Sequence, residues 1–406
     1  MTETAQRNSV KLFVERAKSI REKLVEMRRH IHNDPELSFQ ENKTGSYASE
    51  VLKKIGYSVR DKVGGTGVIA DLSSPQAKGP IIAIRADMDA LPIQEDNPNA
   101  YCSKNSGVMH ACGHDAHTAC ALGAAQILAD MVTAGELAGR FRMIFQPAEE
   151  TVNADGISGA TVMMNEGCLD DVAALVGTHV FPEIPVGMLG FRSGTFLAAC
   201  DSFDIRLIGK GGHGAQPENT VDAIVLAAEL VQHLQTIISR RKSALEPAVL
   251  TIGGIRSKTY RANIIAEEVE LTGTIRYFGE QMSAFFKNEI LKLGEMMKVQ
   301  GARLELQYRT ENPPLVNNEA LNEKLRALAV DMIGESKIVD VPMELGAEDF
   351  SFYTNKVPSL FIVVGAAIEG DHRELHSPRF DINEDALIYG TAIMAASAAH
   401  LSAENH

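Results

Sequence analysis

The most chemically informative part of the chain is a short segment that offers several kinds of metal ligand. Residues 109–117 contain one cysteine, three histidines and one aspartate around a single glycine. Further ligand types follow in later segments, at Glu149, Glu150, His179 and His376. Imidazole, carboxylate and thiolate together suit zinc, manganese, cobalt or nickel rather than calcium or magnesium. The pattern therefore predicts a metal centre of the kind that activates water for hydrolysis.

The candidate ligands fall where predicted strands end. Asp87 and Asp89 follow one apolar run, the acidic pair 149–150 follows another, and His179 ends a third, while His376 precedes the last helix. Taken singly, a loop histidine or an acidic pair is usually structural. Because the carboxyl ends of parallel strands meet at one edge of a sheet, however, we expect these groups to converge. Adjacent acids can then have different roles, since one can bind metal while the other accepts a proton from water.

Strand and helix patterns alternate in the first part of the chain and again near its end. Predicted strands cover 67–72, 80–87, 141–145, 173–179 and 359–364. Predicted helices cover 10–31, 118–132, 157–166, 318–333 and 385–401. This alternation favours an α/β fold with a mostly parallel sheet flanked by helices.

The pattern changes between residues 188 and 308. Residues 202–208 alternate polar with apolar side chains, which is typical of an antiparallel strand with one solvated face. The elements of this region follow in the order β-α-β-β-α-β, a compact unit in its own right. A chain of 406 residues is long enough for two cores. We therefore predict a metal-binding catalytic domain of 1–187 and 309–406, with an inserted α+β domain of 188–308.

Composition narrows the classes of partner. The formal net charge of −14 disfavours nucleic acid and anionic membrane surfaces. No apolar run approaches the roughly 18 residues that a membrane span needs, so no membrane association is expected. The five cysteines are dispersed and form no Cys-x-x-Cys pair, which suits a reducing compartment. With no basic and apolar leader at the start of the sequence, we expect a cytoplasmic protein.

Short motifs spread over almost the whole chain have the form of one known family. They are Arg28–His32, Pro35–Ser38, Arg85–Ile93, Met109–His117, Gln146–Glu150, Gly211–Ala215, Gly346–Phe350 and Leu375–Pro378. In these motifs the chain resembles the M20 metallopeptidases, specifically the amidohydrolase branch with the N-acyl-amino-acid amidohydrolases, hippurate hydrolases and auxin-conjugate hydrolases. The resemblance implies a di-metal peptidase domain with an inserted ferredoxin-like domain that serves as a dimerisation or lid domain.

The resemblance also implies a ligand set. Two divalent ions per subunit, Mn²⁺, Zn²⁺, Co²⁺ or Ni²⁺, would be held by Cys112, His114, Glu150, His179 and His376. The Cys112 thiolate would occupy the bridging position between the two ions. The remaining side chains of the segment, His110, Asp115 and His117, are predicted to be structural or to support the ligands.

Further roles follow from the same resemblance. Glu149 would be the general base and acid, which takes a proton from the metal-bridging water and delivers it to the departing amine. Asp89 would orient a ligand, although a structural acid at a strand end is an equally open interpretation. His213 would stabilise the oxyanion, in its own active site or in that of a partner subunit. Asn263 and Arg276 would bind the substrate carboxylate, with an ordinary strand-face arginine as the alternative.

The predicted reaction is hydrolysis of the amide bond of an N-acyl amino acid to a carboxylic acid and a free amino acid. The expected partners are a small N-acyl amino acid or short peptide and further copies of the chain, as a homodimer or higher homo-oligomer. A dipeptidase or carboxypeptidase of the same family is the nearest alternative. A binding protein on a retired hydrolase scaffold is a third, which the intact Glu149 and ligand residues disfavour.

Overall fold

The computed structural model of the protein describes residues 3–75 and 77–403, which fall into two units. The large unit comprises Met1–Gly194, Val316–Pro342 and Phe352–His406, and the small unit comprises Thr195–Leu315 and Met343–Ser351. Each unit has its own hydrophobic core.

The helices and strands are numbered in chain order. The α-helices are α1 (Glu3–Ser19), α2 (Arg21–Asn33), α3 (Asn42–Lys54), α4 (His114–Thr133), α5 (Gly159–Asn165), α6 (Ala223–Thr236), α7 (Met282–Val299), α8 (Glu319–Ile333), α9 (Ser351–Thr354) and α10 (Ala386–Ala403). The strands are β1 (Ser58–Val63), β2 (Gly67–Ser73), β3 (Ile81–Asp87), β4 (Arg140–Gln146), β5 (Val172–Pro185), β6 (Leu189–Phe191), β7 (Gly194–Leu197), β8 (Ala199–Ile208), β9 (Gly212–His213), β10 (Ala248–Ser257), β11 (Ile264–Ile265), β12 (Glu268–Tyr277), β13 (Arg303–Asn312), β14 (Leu315–Asn317), β15 (Ile338–Asp340) and β16 (Ser359–Ala367). Short 3₁₀ turns cover Pro217–Asn219 and Glu335–Lys337, and a π-helical turn covers Ile237–Arg241.

The large unit is built on an eight-stranded sheet in the order β1-β2-β4-β3-β5-β16-β6-β15. Its central strands β4, β3, β5 and β16 run parallel, while β1, β2 and the β6–β16 pair add antiparallel contacts. Every residue of β3 is buried, as expected for a strand covered on both faces. The predicted α/β class with a mostly parallel sheet is therefore confirmed.

The small unit has a four-stranded antiparallel sheet in the order β10-β12-β8-β13, with α6 and α7 packed on it. Helix α6 buries Leu226, Leu230 and Leu234 at helical spacing, and the Asp222 carboxylate caps its start by accepting from the Ile224 amide at 2.9 Å. Together β8-α6-β10-β12-α7-β13 form the predicted ferredoxin-like arrangement.

The boundaries between the units differ from the predicted limits of 188–308. Strand β6 continues the large sheet, so the chain leaves that unit only after residue 194, and β13 runs on to Asn312. Residues 343–351 also belong to the small unit, which the alternation of sequence patterns did not indicate.

Two expectations about helices are corrected. The predicted helix 10–31 is two helices, α1 and α2, because the chain turns at Ile20, whose amide donates to the Ala17 carbonyl at 3.2 Å. The expectation that no segment could span a membrane is also wrong, since α10 is long and apolar enough to do so. In the structure 83% of that helix is buried inside the large unit, so it is a core helix that is apolar on all sides.

Helices α4 and α10 pack closely at Gly123. A Cβ atom at this position would collide with Cδ2 of Leu24 and would lie 3.0 Å from Cγ2 of Thr391. The absent side chain therefore allows α2, α4 and α10 to approach one another. By contrast, a Cβ atom on Gly294 in α7 would meet the Leu304 side chain at an ordinary 3.5 Å.

We expect Gly123→Ala to destabilise the protein and Gly294→Ala to stabilise it. Overpacking at Gly123 should cost about 1–3 kcal/mol of unfolding free energy. At Gly294 the higher helix propensity of alanine should add about 0.5–1 kcal/mol. Thermal unfolding of both variants, followed by calorimetry and circular dichroism, checks the opposite signs. A stabilised Gly123→Ala variant would contradict the close packing of α4.

Candidate metal centre

Adjacent strands bring the candidate ligands to one edge of the large sheet. Strands β4, β3 and β5 lie side by side and run parallel, so the segments that leave β3 and β4 begin near each other, and His179 lies within β5 near them. His114 is the first residue of α4, directly after Gly113, which adopts a φ of 91°. His376 comes from the loop before α10, and its backbone amide donates to the Ala111 carbonyl at 2.8 Å.

The five side chains predicted to hold metal form two overlapping groups. Ligand atoms of Cys112, His114 and His179 lie within 4.8 Å of one another, and so do those of Cys112, Glu150 and His376. Cys112 Sγ lies 3.4 Å from His179 Nε2, and Glu150 Oε1 lies 3.3 Å from His376 Nε2. The thiol thus belongs to both groups, which is the arrangement that a bridging ligand requires.

Two buried polar atoms fit the presence of a metal. Among the described residues, His114 Nε2 has no hydrogen-bond partner and Glu150 Oε1 accepts no well-directed hydrogen bond, although both atoms are inaccessible to solvent. Such atoms are rare in folded proteins unless they bind something. The Nδ1 atom of His114 donates to the Asp89 carbonyl at 2.9 Å, and that of His179 donates to the Val180 carbonyl at 2.8 Å. Both imidazoles therefore turn Nε2 towards the ligand group.

Asp89 connects the ligand loops. Its Oδ1 accepts from the amide of Glu149 at 3.1 Å, and its Oδ2 accepts from the amide of Glu150 at 3.0 Å and from the Ser38 hydroxyl at 2.7 Å. Burial alone would raise the pKa of Asp89, but its contacts, led by the His114 hydrogen bond, lower it. An ionised carboxylate therefore fixes both members of the acidic pair and one imidazole.

Glu41 is a site residue that the sequence did not indicate. This buried carboxylate accepts from the amides of Phe39 at 2.9 Å and Ala148 at 2.8 Å and from the Thr66 hydroxyl at 2.5 Å. Ala148 directly precedes Glu149 and has a φ of 48°, which is unfavourable for a residue with a side chain. Burial and the charge of Asp89 raise the pKa of Glu41 to about 7. A single glutamate outside any ligand-rich segment carries no signal of this role.

A buried ion network lies behind the start of α4. The Asp115 carboxylate accepts from Arg28 Nε at 3.0 Å and lies 2.8 Å from His32 Nδ1, and Arg28 also donates to Asp381 at 2.8 Å. Burial opposes the charge of His32, but Asp115 outweighs it and the pKa of His32 rises to about 9. Asp115 therefore ties α2 to the first turn of α4 beside His114. Arg28 and His32, quoted only as part of a motif, were not assigned this role.

The other predicted site residues belong to the small unit. His213 in β9 is exposed and pairs with Ile264 in β11, next to the exposed Asn263. The His213 Nδ1 accepts from the Ala215 amide at 3.1 Å, so in the neutral ring Nε2 carries the proton. Arg276 is half-buried on β12, a separate strand of this unit. The small unit therefore groups His213 with Asn263 but places Arg276 elsewhere in its fold.

Comparison with known proteins decides the family. Residues 83–400 match the sequence model of peptidase family M20/M25/M40. The chain belongs to this family. As an M20 protein it is a metal-dependent hydrolase that acts on amide bonds, so the resemblance drawn from its motifs is confirmed.

Relatives of the M20 protein match it along almost its whole length. It is 37% identical to the N-acetyl-L-cysteine deacetylase of Bacillus subtilis over 95% of this chain and 90% of the relative. It is 38% identical to IAA-amino acid hydrolase ILR1-like 2 of Arabidopsis thaliana over 92% of this chain and 84% of the relative. The crystal structure of the Bacillus subtilis YXEP protein, described as a dinuclear metal-binding peptidase of the M20 family, superposes with a TM-score of 0.82 and 32% identity, covering 95% of this chain and 99% of that one.

Metal binding to the metal-free protein should release protons. Burial alone lowers the pKa of His114, but its contacts, led by the charge of Asp87, outweigh burial and raise the pKa well above its ordinary value. Burial and the charge of Glu150 raise the pKa of the Cys112 thiol in the same direction. Both groups hold protons at neutral pH that a metal must displace, so metal affinity should rise with pH.

Calorimetric titration of chelator-stripped protein, repeated in buffers of different ionisation enthalpy, counts the released protons. We expect about two per subunit at pH 7, and about one fewer for Cys112→Ser. A binding heat that does not depend on the buffer would contradict the protonated state of these ligands.

Proposed function

We propose that this M20 protein is an amidohydrolase that releases a free amino acid and a carboxylic acid from N-acyl amino acids. The observation that carries the proposal is the position of Glu149 beside the ligand group. Its carboxylate lies within 4.8 Å of ligand atoms of His114 and Glu150, and Asp89 holds the amides of both glutamates. The names of the two relatives, an N-acetyl-L-cysteine deacetylase and an IAA-amino acid hydrolase, support this substrate class.

Each candidate site residue of the large unit has a proposed role. Two divalent ions of manganese, zinc, cobalt or nickel would be held by the two groups that share Cys112, and when bound they lower the pKa of water and polarise a carbonyl. Glu149 accepts the proton of that water and returns it to the nitrogen of the departing amine. Asp89 keeps Glu149 and Glu150 in the orientation that lets one act as a base while the other binds metal.

The small unit supplies the proposed contacts to the substrate. Because His213 carries its proton on Nε2, the ring can donate a hydrogen bond to a developing oxyanion. Asn263 lies beside it, and the Arg276 guanidinium can bind a carboxylate through two parallel hydrogen bonds. These three residues are proposed to recognise the amino-acid part of the substrate and the reacting carbonyl.

We further propose that the chain works as a homodimer or higher homo-oligomer in the cytoplasm, with the small unit as a dimerisation or lid domain. An apolar cluster on the small unit supports an interface between copies. Ile224, Ile255, Tyr260 and Ile264 are all exposed and line a cavity of about 900 Å³. The five cysteines are all free, which suits a reducing compartment.

We expect Glu149→Gln to lower kcat by about 10²–10⁴-fold while metal content stays unchanged, since the amide cannot accept the proton. The assay measures amine release from N-acetyl, N-benzoyl and indole-acetyl amino acids by protein reloaded with manganese, zinc, cobalt or nickel. A matched control is Glu183→Gln, the same substitution at an exposed position of β5, which should leave kcat unchanged. Full activity of Glu149→Gln would contradict the proposed base.

The same assay separates the proposal from its alternatives. Turnover of free dipeptides alone, with no cleavage of blocked amides, would identify a dipeptidase or carboxypeptidase. Absence of turnover with every metal would favour a binding protein on a retired hydrolase scaffold. Turnover of blocked amides ranks the acyl groups and the metals directly.

Mixing two inactive variants tests whether His213 acts in a partner's active site. We expect Glu149→Gln and His213→Ala homodimers to be inactive and their heterodimers to regain activity, because one of the two sites then contains both residues. Light scattering measures the oligomeric state, and Tyr260→Glu should shift it towards monomer. A monomeric protein, or no recovery after subunit exchange, would contradict a role of His213 in the neighbouring site.

A further inference from the structure

Strand β5 extends beyond its neighbour β3 at the edge where the ligands lie. The last residue pair between them is Arg85 with Gly177, whereas β5 continues to Pro185. The amide of Val180 therefore needs an acceptor that β3 does not provide, because a buried N–H without a partner is costly. That acceptor is the imidazole of His117, whose Nε2 lies 3.0 Å from the Val180 nitrogen.

The hydrogen bonds around His117 define its protonation state. Because Nε2 accepts from an amide, the ring proton resides on Nδ1, which donates to Asp87 Oδ1 at 2.7 Å. The other carboxylate oxygen of Asp87 accepts from Arg85 Nη1 at 2.6 Å. All three side chains are almost completely buried. Asp87, an acid at the end of β3, thus has both carboxylate oxygens hydrogen-bonded to protein groups.

Val180 joins this chain of hydrogen bonds to a candidate metal ligand. Its carbonyl accepts from His179 Nδ1 at 2.8 Å, and this contact leaves His179 Nε2 facing Cys112 Sγ at 3.4 Å. The rings of His117 and His179 also pack with their centroids 4.6 Å apart. A shift of Val180 would therefore move the imidazole that faces the thiol.

We propose that Arg85, Asp87 and His117 are positioning residues, which hold Val180 and through it orient His179 for metal binding. The chain runs from the Arg85 guanidinium to the Asp87 carboxylate, to the neutral imidazole of His117, and on to the amide of Val180. The proposal rests on the metal site proposed above. It assigns a task to three residues that do not themselves bind the ion.

Substitutions of His117 test the proposal through metal affinity. In His117→Gln, the amide oxygen can accept from Val180 and the amide nitrogen can donate to Asp87, so metal should bind almost as in the wild type. In His117→Leu, a side chain of similar bulk leaves the Val180 amide without an acceptor, and we expect metal binding about 10- to 100-fold weaker. Competition with a chromogenic chelator measures both affinities, and circular dichroism of the metal-free proteins checks that they are folded.

Asp87→Asn tests the protonation state without changing the shape of the side chain. Because Arg85 can only donate, the amide oxygen must face it, so the amide NH₂ faces His117 Nδ1. The imidazole proton then moves to Nε2, opposite the Val180 amide, and this contact is lost. We expect a similar loss of metal affinity, together with a change of the His117 tautomer in ¹⁵N NMR spectra of histidine-labelled protein.

A matched control is Asp71→Asn, which removes a carboxylate that accepts two hydrogen bonds from Arg142 on the adjacent strand and has no hydrogen bond to a histidine within residues 3–75 and 77–403. Its metal affinity should equal that of the wild type. Equal metal affinities of His117→Leu and the wild type, or an unchanged tautomer in Asp87→Asn, would overturn the positioning role. Wild-type protein that binds no divalent ion would instead overturn the proposed metal site, so the two failures are distinguishable.

Discussion

The Asp89 carboxylate receives hydrogen bonds from parts of the chain that are far apart in sequence. Its partners are the imidazole at the start of α4, both amides of the acidic pair after β4, and the hydroxyl of Ser38 in the segment between α2 and α3. A buried carboxylate is costly unless such donors surround it. Its charge therefore holds these donors in place, and the geometry of the candidate ligand groups depends on these hydrogen bonds.

A second constraint is the position of the loop after β4, which carries the acidic pair. Glu41 holds Ala148 in a backbone conformation that a side chain disfavours, and this conformation turns Glu149 and Glu150 towards Cys112 and the histidines. Strain at that point is sustained by contacts to α3 and to Thr66 near the start of β2, which lie outside the ligand loops. Hydrogen bonds thus connect the sheet, the segment before α3 and the acidic pair within the large unit.

Local patterns in the sequence were sufficient for the fold class and for the candidate ligand residues that the structure brings together. The apolar run of β3, the acidic pair at 149–150 and the cluster at 109–117 are short-range signals, and all three lie where strand ends meet. Helix α3 was missed because its polar residues and Gly45 obscure the helical pattern, and the turn at Ile20 was missed because the apolar spacing continues through it. Contacts such as Glu41 with Ala148 or His117 with Val180 join distant residues, and a single sequence carries no local trace of them. Hydropathy alone also could not classify α10, since a core helix and a membrane span share length and composition; only its burial separates the two.

The position of Cys112 has a consequence for the cell that contains this protein. Sulfur is a soft donor, and soft ions such as copper(I) bind it more readily than they bind carboxylates or imidazoles. Because this one sulfur belongs to both candidate ligand groups, a single copper(I) ion bound to it would compete with divalent ions at both groups. The enzyme is therefore expected to lose activity early when copper accumulates in the cell.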